Sequence, residues 1–302
     1  MIESLRIKNK VTGKTLCFDM FEADYLIYEG GIDWGTVQVS HNTFKYPTQI
    51  GEDITSTTVG TRDTSINGWI IGKDLKEIES KKNLLTKHIN PLQPVEIIVG
   101  THSLHGVPAT NVKFSNTKEE NNEVMCKFLM QFLCSNPMFV LSEAVQTSIA
   151  STRGGFGFPL IFKPRGIIMG LRTESLFTDI LNEGAIEVGM VITIEATGTV
   201  NNPTIVEVNT NQKMRMNMKL EAGDKVIIDT NRGERSVVGY HNGKKANYLG
   251  YFDYDNDWLQ AKVGITTLTI KSYGSDGLED DTYKKLDVSV AYKPALYNLG
   301  GE

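Results

Sequence analysis

The 302-residue chain has little of what usually reveals a function from sequence alone. It contains 3 cysteines and 9 prolines, and no two cysteines form a CxxC pair, so neither a disulfide framework nor a cysteine-rich zinc site is indicated. No apolar run reaches the length of a membrane span, and the first residues do not resemble a signal peptide. These absences predict a protein that folds in a reducing compartment and does not insert into a membrane.

The chain also lacks a strong charge of either sign. Lys and Arg number 31 against 36 Asp and Glu, which gives a formal net charge of -5. Because nucleic-acid binding needs a basic surface that neutralises phosphates, sequence-specific binding to nucleic acid is disfavoured. One segment is locally acidic, since five acids and no base occur between Lys14 and Lys45: Asp19, Glu22, Asp24, Glu29 and Asp33. A solvated loop region is the ordinary interpretation of such a run.

No constellation of residues indicates an enzyme or a bound cofactor. The H-E-x-x-H, G-x-S-x-G and P-loop signatures are all missing from the sequence. Asp253, Asp255 and Asp257 resemble the start of a calcium loop, but an EF-hand needs Gly at the sixth position and Glu at the twelfth, where this chain has Trp258 and Gly264. We therefore predict no catalytic residue, no metal site and no cofactor, with an isolated ion site at the three acids as a minor alternative.

What the sequence does contain is the pattern of extended chain. Residues 214–220 alternate Met or Leu with polar side chains, which is the period of a half-buried β-strand. A Gly-Asp turn then leads to a second apolar stretch at residues 225–230, so the segment predicts a β-hairpin. A similar alternation over residues 124–134 predicts the strongest core strand of the first half.

One helix is predicted, over residues 74–89. Asp74 can cap it with Glu77 three residues later, apolar residues recur at helical spacing, and Pro91 ends it. The Thr- and Gly-rich residues 44–62 are expected to form a long surface loop or arm. Residues 142–158 are expected to be a linker, and the many short strands and turns of residues 159–302 suggest a β-sandwich. The chain is therefore predicted to be mainly β.

Several short motifs occur in an order that is typical of one family. In the first half they are RDTSING (62–68), the helix that follows it, and CSNP (134–137), and GGFGFP (154–159) is similar to that family's junction between halves. In the second half they are NEG (182–184), NPTI (202–205) and VIIDT (226–230). Over nearly its whole length the chain resembles the distal tail (Dit) proteins of long-tailed, non-contractile bacteriophages. It departs from that family's Pro-Gly-x-Asn turn, since residues 263–266 are Val-Gly-Ile-Thr.

This resemblance implies a ring-forming N-terminal domain over residues 1–141, a linker over 142–158 and a C-terminal galectin-like β-sandwich over 159–302. It implies a homohexamer in the virion tail tip, assembled in the host bacterial cytoplasm. One face of the ring would bind the tail-tube protein and the other the tail-associated lysin or adhesion hub, in an infectious phage, a prophage or a tail-like bacteriocin. DNA would pass through the channel unread, and the five acids from Asp19 to Asp33 are candidates to line it and repel DNA.

A second interpretation is a carbohydrate-binding adhesin module that recognises host cell-wall sugars. Aromatic residues cluster within 248–258, and Tyr251, Tyr254 and Trp258 are candidates to stack on a sugar, although packing is the commoner role of such rings. This interpretation is compatible with a tail hub. A cell-wall hydrolase is a third interpretation, because a catalytic pair cannot be recognised among 36 acids without their separation.

Overall fold

The computed structural model describes residues 4–21, 23–154, 170–174 and 177–299. These residues are mainly β-strand, with one α-helix and two short 3-10 helices, which confirms the predicted fold class. The chain divides into two compact units, Met1–Ser142 together with Leu296–Glu302, and Glu143–Ala295. The domain boundaries expected from the family resemblance stay predictions.

The first unit is a barrel-like sheet with a helix. Its elements are β1 (Ser4–Asn9), β2 (Thr15–Asp19), β3 (Tyr25–Asp33), β4 (Val37–Phe44), β5 (Asp53–Ile71), α1 (Leu75–His88), β6 (Val95–Val99), β7 (His102–Pro108), β8 (Lys113–Phe114), β9 (Met125–Cys134) and β10 (Phe139–Leu141). The strands pair in the order β7-β6-β1-β2-β3-β5-β9, and β9 pairs in turn with β7. This closed series of pairings gives the unit its barrel-like form.

The core strand and the helix of the first unit agree with the sequence patterns. On β9 every second side chain is buried, from Cys126 through Phe128 to Cys134. At the start of α1 the Asp74 carboxylate accepts the Glu77 amide at 2.7 Å, while the Glu77 carboxylate accepts the Lys73 amide at 2.9 Å. This reciprocal cap explains why the helix begins where the sequence predicts it.

The loop or arm expected at residues 44–62 is most of a two-stranded arm, residues 37–60, whose base is at Arg62. Residues 53–62 are the first part of β5, which pairs with β4 between Phe44↔Asp53 and Val37↔Arg62. From Arg62 onward every second β5 residue is buried, but the residues before Thr61 are all exposed. Because neither face of the arm is buried, its sequence carries no apolar alternation by which a strand could be recognised.

The second unit is a β-sandwich, as predicted. Its strands are β11 (Val145–Gly154), β12 (Gly170–Glu174), β13 (Thr178–Asn182), β14 (Val188–Ala196), β15 (Val200–Asn201), β16 (Thr204–Glu207), β17 (Lys213–Arg215), β18 (Lys219–Leu220), β19 (Lys225–Asp229), β20 (Ser236–His241), β21 (Lys244–Asn247), β22 (Gln260–Ala261), β23 (Gly264–Tyr273), β24 (Glu279–Asp280), β25 (Leu286–Tyr292) and, at the unit boundary, β26 (Ala295–Leu296). One sheet has the order β12-β11-β25-β14-β19-β20-β21 and the other β13-β23-β16-β17. Buried aliphatic side chains of both sheets form one core between them.

Two sequence expectations in this unit differ from the structure. Most of the expected linker is a strand, since β11 pairs with β25 from Val145↔Tyr292 onward and buries Ile149, while residues 155–158 lie outside the described residues. The prediction of a β-hairpin at residues 214–230 is wrong, although Met214, Met216 and Leu220 are buried as predicted. Here β17 pairs with β16, β18 with β15, and β19 with β14 and β20. These partners, distant in sequence, replace the local pairing.

Candidate functional site

The first unit carries an exposed two-stranded arm, residues 37–60. Its strands are joined across by the hydrogen bonds His41 Nδ1–Thr57 Oγ1 and Asn42 Nδ2–Ser56 Oγ, each 2.9 Å long. On its other edge β4 pairs with no strand of the described residues. An unpaired strand edge is a surface on which another chain can add hydrogen bonds.

Large apolar side chains of the arm face outward. Six of them are between 47% and 102% exposed: Val39, Phe44, Tyr46, Ile50, Ile54 and Val59. The rings of Phe44 and Tyr46 pack edge to face with centroids 4.8 Å apart, so the turn presents a defined aromatic pair. A lone hairpin is marginally stable in water, and clustered exposed apolar side chains mark a binding surface. The arm is therefore suited to packing against another protein surface.

The base of the arm is fixed by Arg62, which is fully buried. Its guanidinium lies 4.8 Å from the centroid of the Phe139 ring, and Nη2 donates to the Tyr297 carbonyl. Burial lowers the pKa of the Arg62 side chain. The ring of Trp34 packs edge to face on Phe139 at 5.3 Å, and Thr64 donates to the Trp34 carbonyl. The arm thus leaves the barrel from a packed base.

At least one of the five acids considered for a channel lining is already paired with a basic side chain. Side chains are described for three of them, Asp19, Asp24 and Asp33. Asp24 pairs with Lys81 at 2.7 Å, while the other two accept backbone amides two residues further along the chain at 2.8 Å. Glu22 and the side chain of Glu29 lie outside the described residues. The role of these acids in a channel stays a prediction.

The predicted sugar-stacking residues differ in exposure. Trp258 packs against the sandwich core and against the tilted ring of Phe252, with ring centroids 4.9 Å apart. The Arg235 guanidinium lies over Trp258, 5.4 Å from its ring centroid. Tyr251 is about half exposed and Tyr254 is fully exposed. Trp258 thus has a packing role, and sugar stacking by the three residues stays a prediction.

The second unit has a groove that the sequence did not suggest. It has a volume of about 300 Å³ and lies on β16 and β23, and we call it the outer groove. It is lined by Phe177, Val206, Val208, Asn211, Thr269, Ile270, Lys271, Glu279 and Tyr283. These residues come from four separate stretches of the chain, so no local motif could have predicted their association.

The described residues hold no group of three His, Cys, Asp or Glu side chains placed to share a metal ion. In the same part of the chain, the one α-helix is neither long nor apolar enough to span a membrane.

Two family models match the chain. The phage tail protein RIFT-related domain matches residues 31–134, and the C-terminal domain of the siphovirus-type tail component matches residues 183–285. The first match includes the arm and Arg62, and the second includes most of the outer groove. No curated protein sequence matches this chain.

Solved structures of phage tail components share the fold. The Dit protein of phage SPP1, described as a paradigm of the hub adsorption apparatus in phages infecting Gram-positive bacteria, superposes with a TM-score of 0.65 at 11% identity, covering 96% of this chain and 98% of that one. A chain of the phage P2 baseplate, in its activated conformation with Ca, superposes with a TM-score of 0.53 at 11% identity, covering 99% and 100%. Both matches span both units of the chain.

Proposed function

We propose that this protein forms a hexameric ring at the tail tip. The chain belongs to the siphophage distal tail (Dit) protein family. The family makes it a phage tail component, and the arm is the observation that carries the proposal of a ring. Its six exposed apolar side chains need a partner surface, and a second copy of the chain supplies one.

Contacts through the arm would be heterologous, because the arm of one copy would pack on a different surface of the next. Heterologous contacts generate a closed ring when the rotation between neighbours completes a full turn. The arm is an extended hairpin on a packed base, so it reaches a neighbour without moving the barrel. The edge of β4 would add backbone hydrogen bonds to the apolar contacts.

The ring would join the tail tube to the tail-associated lysin or the receptor-binding apparatus. Its role would be structural and not enzymatic, and its place would be the virion tail after assembly in the host cytoplasm. The fold shared with a hub protein of SPP1 and a baseplate chain of phage P2 supports this position in the tail.

The ring is tested by solution mass and negative-stain images. Six copies of the 33.6 kDa chain have a mass of about 200 kDa, and the images should show a central hole. Combined replacement Phe44→Ser, Ile50→Ser and Ile54→Ser should leave a folded monomer, because it removes apolar contact from the arm only.

A matched control replaces exposed apolar residues of the second unit, with Val263→Ser, Ile265→Ser and Leu278→Ser, and should keep the ring. An arm variant that still forms rings would remove the arm from the interface. A wild-type chain that stays monomeric at every concentration, both alone and with the tail-tube protein, would contradict the ring itself.

A second function, recognition of cell-wall carbohydrate, is favoured by the outer groove. The groove combines aromatic and polar side chains, and it lies in the second unit, so it is independent of the arm.

A further inference from the structure

We propose that the outer groove binds a sugar ring of a neutral saccharide. This inference rests on the second function proposed above, which it deepens by naming the class of ligand, and it does not depend on the ring. The floor of the groove is the outward face of two paired strands, where Val206 of β16 lies opposite Thr269 of β23. Their neighbours Ile205 and Leu268 are buried in the sandwich core, so alternation directs Val206 and Thr269 to the groove.

Aromatic side chains line the groove in addition to the aliphatic floor. Phe177 directly precedes β13 and is 54% exposed, and Tyr283 lies in the 3-10 helix Asp281–Lys285. The C–H faces of a pyranose ring are apolar, so they can lie against such rings and against Val206 and Val208.

Polar groups beside these apolar surfaces can satisfy the sugar's hydroxyls. Lys271 Nζ and Glu279 Oε2 form an ion pair at 2.8 Å, and the amide of Asn211 supplies both a donor and an acceptor. Each hydroxyl of a sugar can donate and accept, which matches neighbouring donors and acceptors of this kind. The ammonium and the carboxylate balance each other, so the lining favours a neutral ligand over a phosphate or an acidic sugar.

One side of the groove is held in place by a buried hydroxyl. Ser272 is fully buried, and its Oγ accepts the Tyr283 amide at 2.8 Å while donating to Asp280. The Asp280 carboxylate also accepts the Thr282 amide at 3.0 Å. These bonds fix the backbone that carries Tyr283 before any ligand arrives.

The end of the groove near Asn211 is fixed in a similar way. The Glu207 carboxylate, 2% exposed, accepts from Lys262 Nζ at 2.9 Å and from Thr210 Oγ1 at 2.7 Å. The backbone N–H of Asn211 donates to the backbone carbonyl of Glu207 at 2.9 Å, which closes the turn between β16 and β17. A site whose walls are already ordered loses less entropy on binding, which favours affinity for a small ligand.

The test is saturation-transfer NMR of the full chain with methyl glycosides of glucose, galactose, N-acetylglucosamine and rhamnose. At least one glycoside should bind with a Kd of about 1 mM or below. Phe177→Ala should weaken that binding about tenfold, because a stacking surface is lost from a half-exposed position. Glu279→Gln, which keeps the side-chain shape but removes the charge, should weaken it as well.

Phe21→Ala is the matched control, because Phe21 is an exposed phenylalanine of the first unit that does not line the groove. This variant should bind as the wild type does. Binding of no glycoside, an unchanged Kd in Phe177→Ala, or loss of binding in Phe21→Ala would each overturn the proposal. None of these outcomes changes the particle mass, so the ring proposal is judged separately.

Discussion

Replacement of Gly68 by Ala should destabilise the first unit by about 3 kcal/mol. Gly68 lies on β5 between two neighbouring strands, opposite Ile27 of β3 and Phe128 of β9. A Cβ atom at this position would lie 2.3 Å from the Leu26 carbonyl oxygen and 2.6 Å from Phe128 Cζ. Both separations are far below van der Waals contact, so either the backbone of β3 or the Phe128 ring has to move.

The size of the effect follows from how little the surroundings can yield. Phe128 is 1% exposed, and its ring packs edge to face on Phe18 at 6.0 Å and on Tyr25 at 6.4 Å. Overpacking of a core costs about 1–3 kcal/mol, and a clash with backbone as well as a ring places this variant at the upper end. For a unit of this length each kcal/mol lowers Tm by about 2–4 °C, so Tm should fall by about 6–12 °C.

Calorimetry combined with hydrogen exchange measures this loss in the first unit alone. Protection should fall in β3, β5 and β9 and remain in the strands of the second unit. Gly250→Ala is the control, because an added Cβ there meets nothing within 4 Å, and its effect should stay within about 0.5 kcal/mol. Adding Phe128→Leu to Gly68→Ala should cost less than the separate effects combined, because the smaller side chain relieves the clash. A fall in Tm of less than about 2 °C for Gly68→Ala would refute the reasoning.

Two further predictions concern charge. Burial lowers the pKa of His88, against the opposing hydrogen bond to the Ile7 carbonyl, so the unfolded chain binds more protons than the native one below the ordinary pKa of 6.5. The stability that His88 contributes is therefore present above pH 6.5 and is lost as pH falls toward the lowered pKa. His88→Gln can still donate to the Ile7 carbonyl, and it should make the urea midpoint of unfolding depend less on pH across that range. If acids line a channel, charge reversal of Asp19 and Asp33 to Lys should slow DNA ejection from phage particles, whereas Glu119→Lys on an exposed turn should not, and an unchanged rate in the first variant would end that idea.

The parts of the fold that were predicted correctly are those in which one face is buried. Helix α1 and strand β9 each pack one side on the core of the first unit. The spacing of their apolar residues therefore shows which side is buried. The arm could not be recognised in this way. Its outward apolar residues follow no period, which is expected of a segment whose partner is another molecule.

The hairpin expected near residues 214–230 failed for a different reason. Alternation predicted correctly which side chains are buried, but pairing was inferred from a turn between neighbours in sequence. In the fold the Met216 amide donates to the Pro203 carbonyl and the Asn217 amide to the Tyr251 carbonyl. These bonds draw residues 216–217 away from a regular hairpin, and partners so distant in sequence leave no local signal. The outer groove was missed for the same reason.

The motif at residues 62–68, on which much of the resemblance rests, is best understood as a packing device at the base of the arm. Arg62 donates a hydrogen bond to the Tyr297 carbonyl, and Thr64 donates one to the Trp34 carbonyl. Gly68 leaves room for the Phe128 ring. Arg62, Thr64 and Gly68 are buried and cannot bind a partner directly, whereas Asp63 is the one exposed residue of the motif. The motif and the arm can therefore be separated experimentally: serine substitutions on the arm should abolish rings in a folded chain, whereas Gly68→Ala should disturb rings only to the extent that it destabilises the barrel. Loss of rings by Gly68→Ala with an unchanged Tm would place the motif in the interface instead.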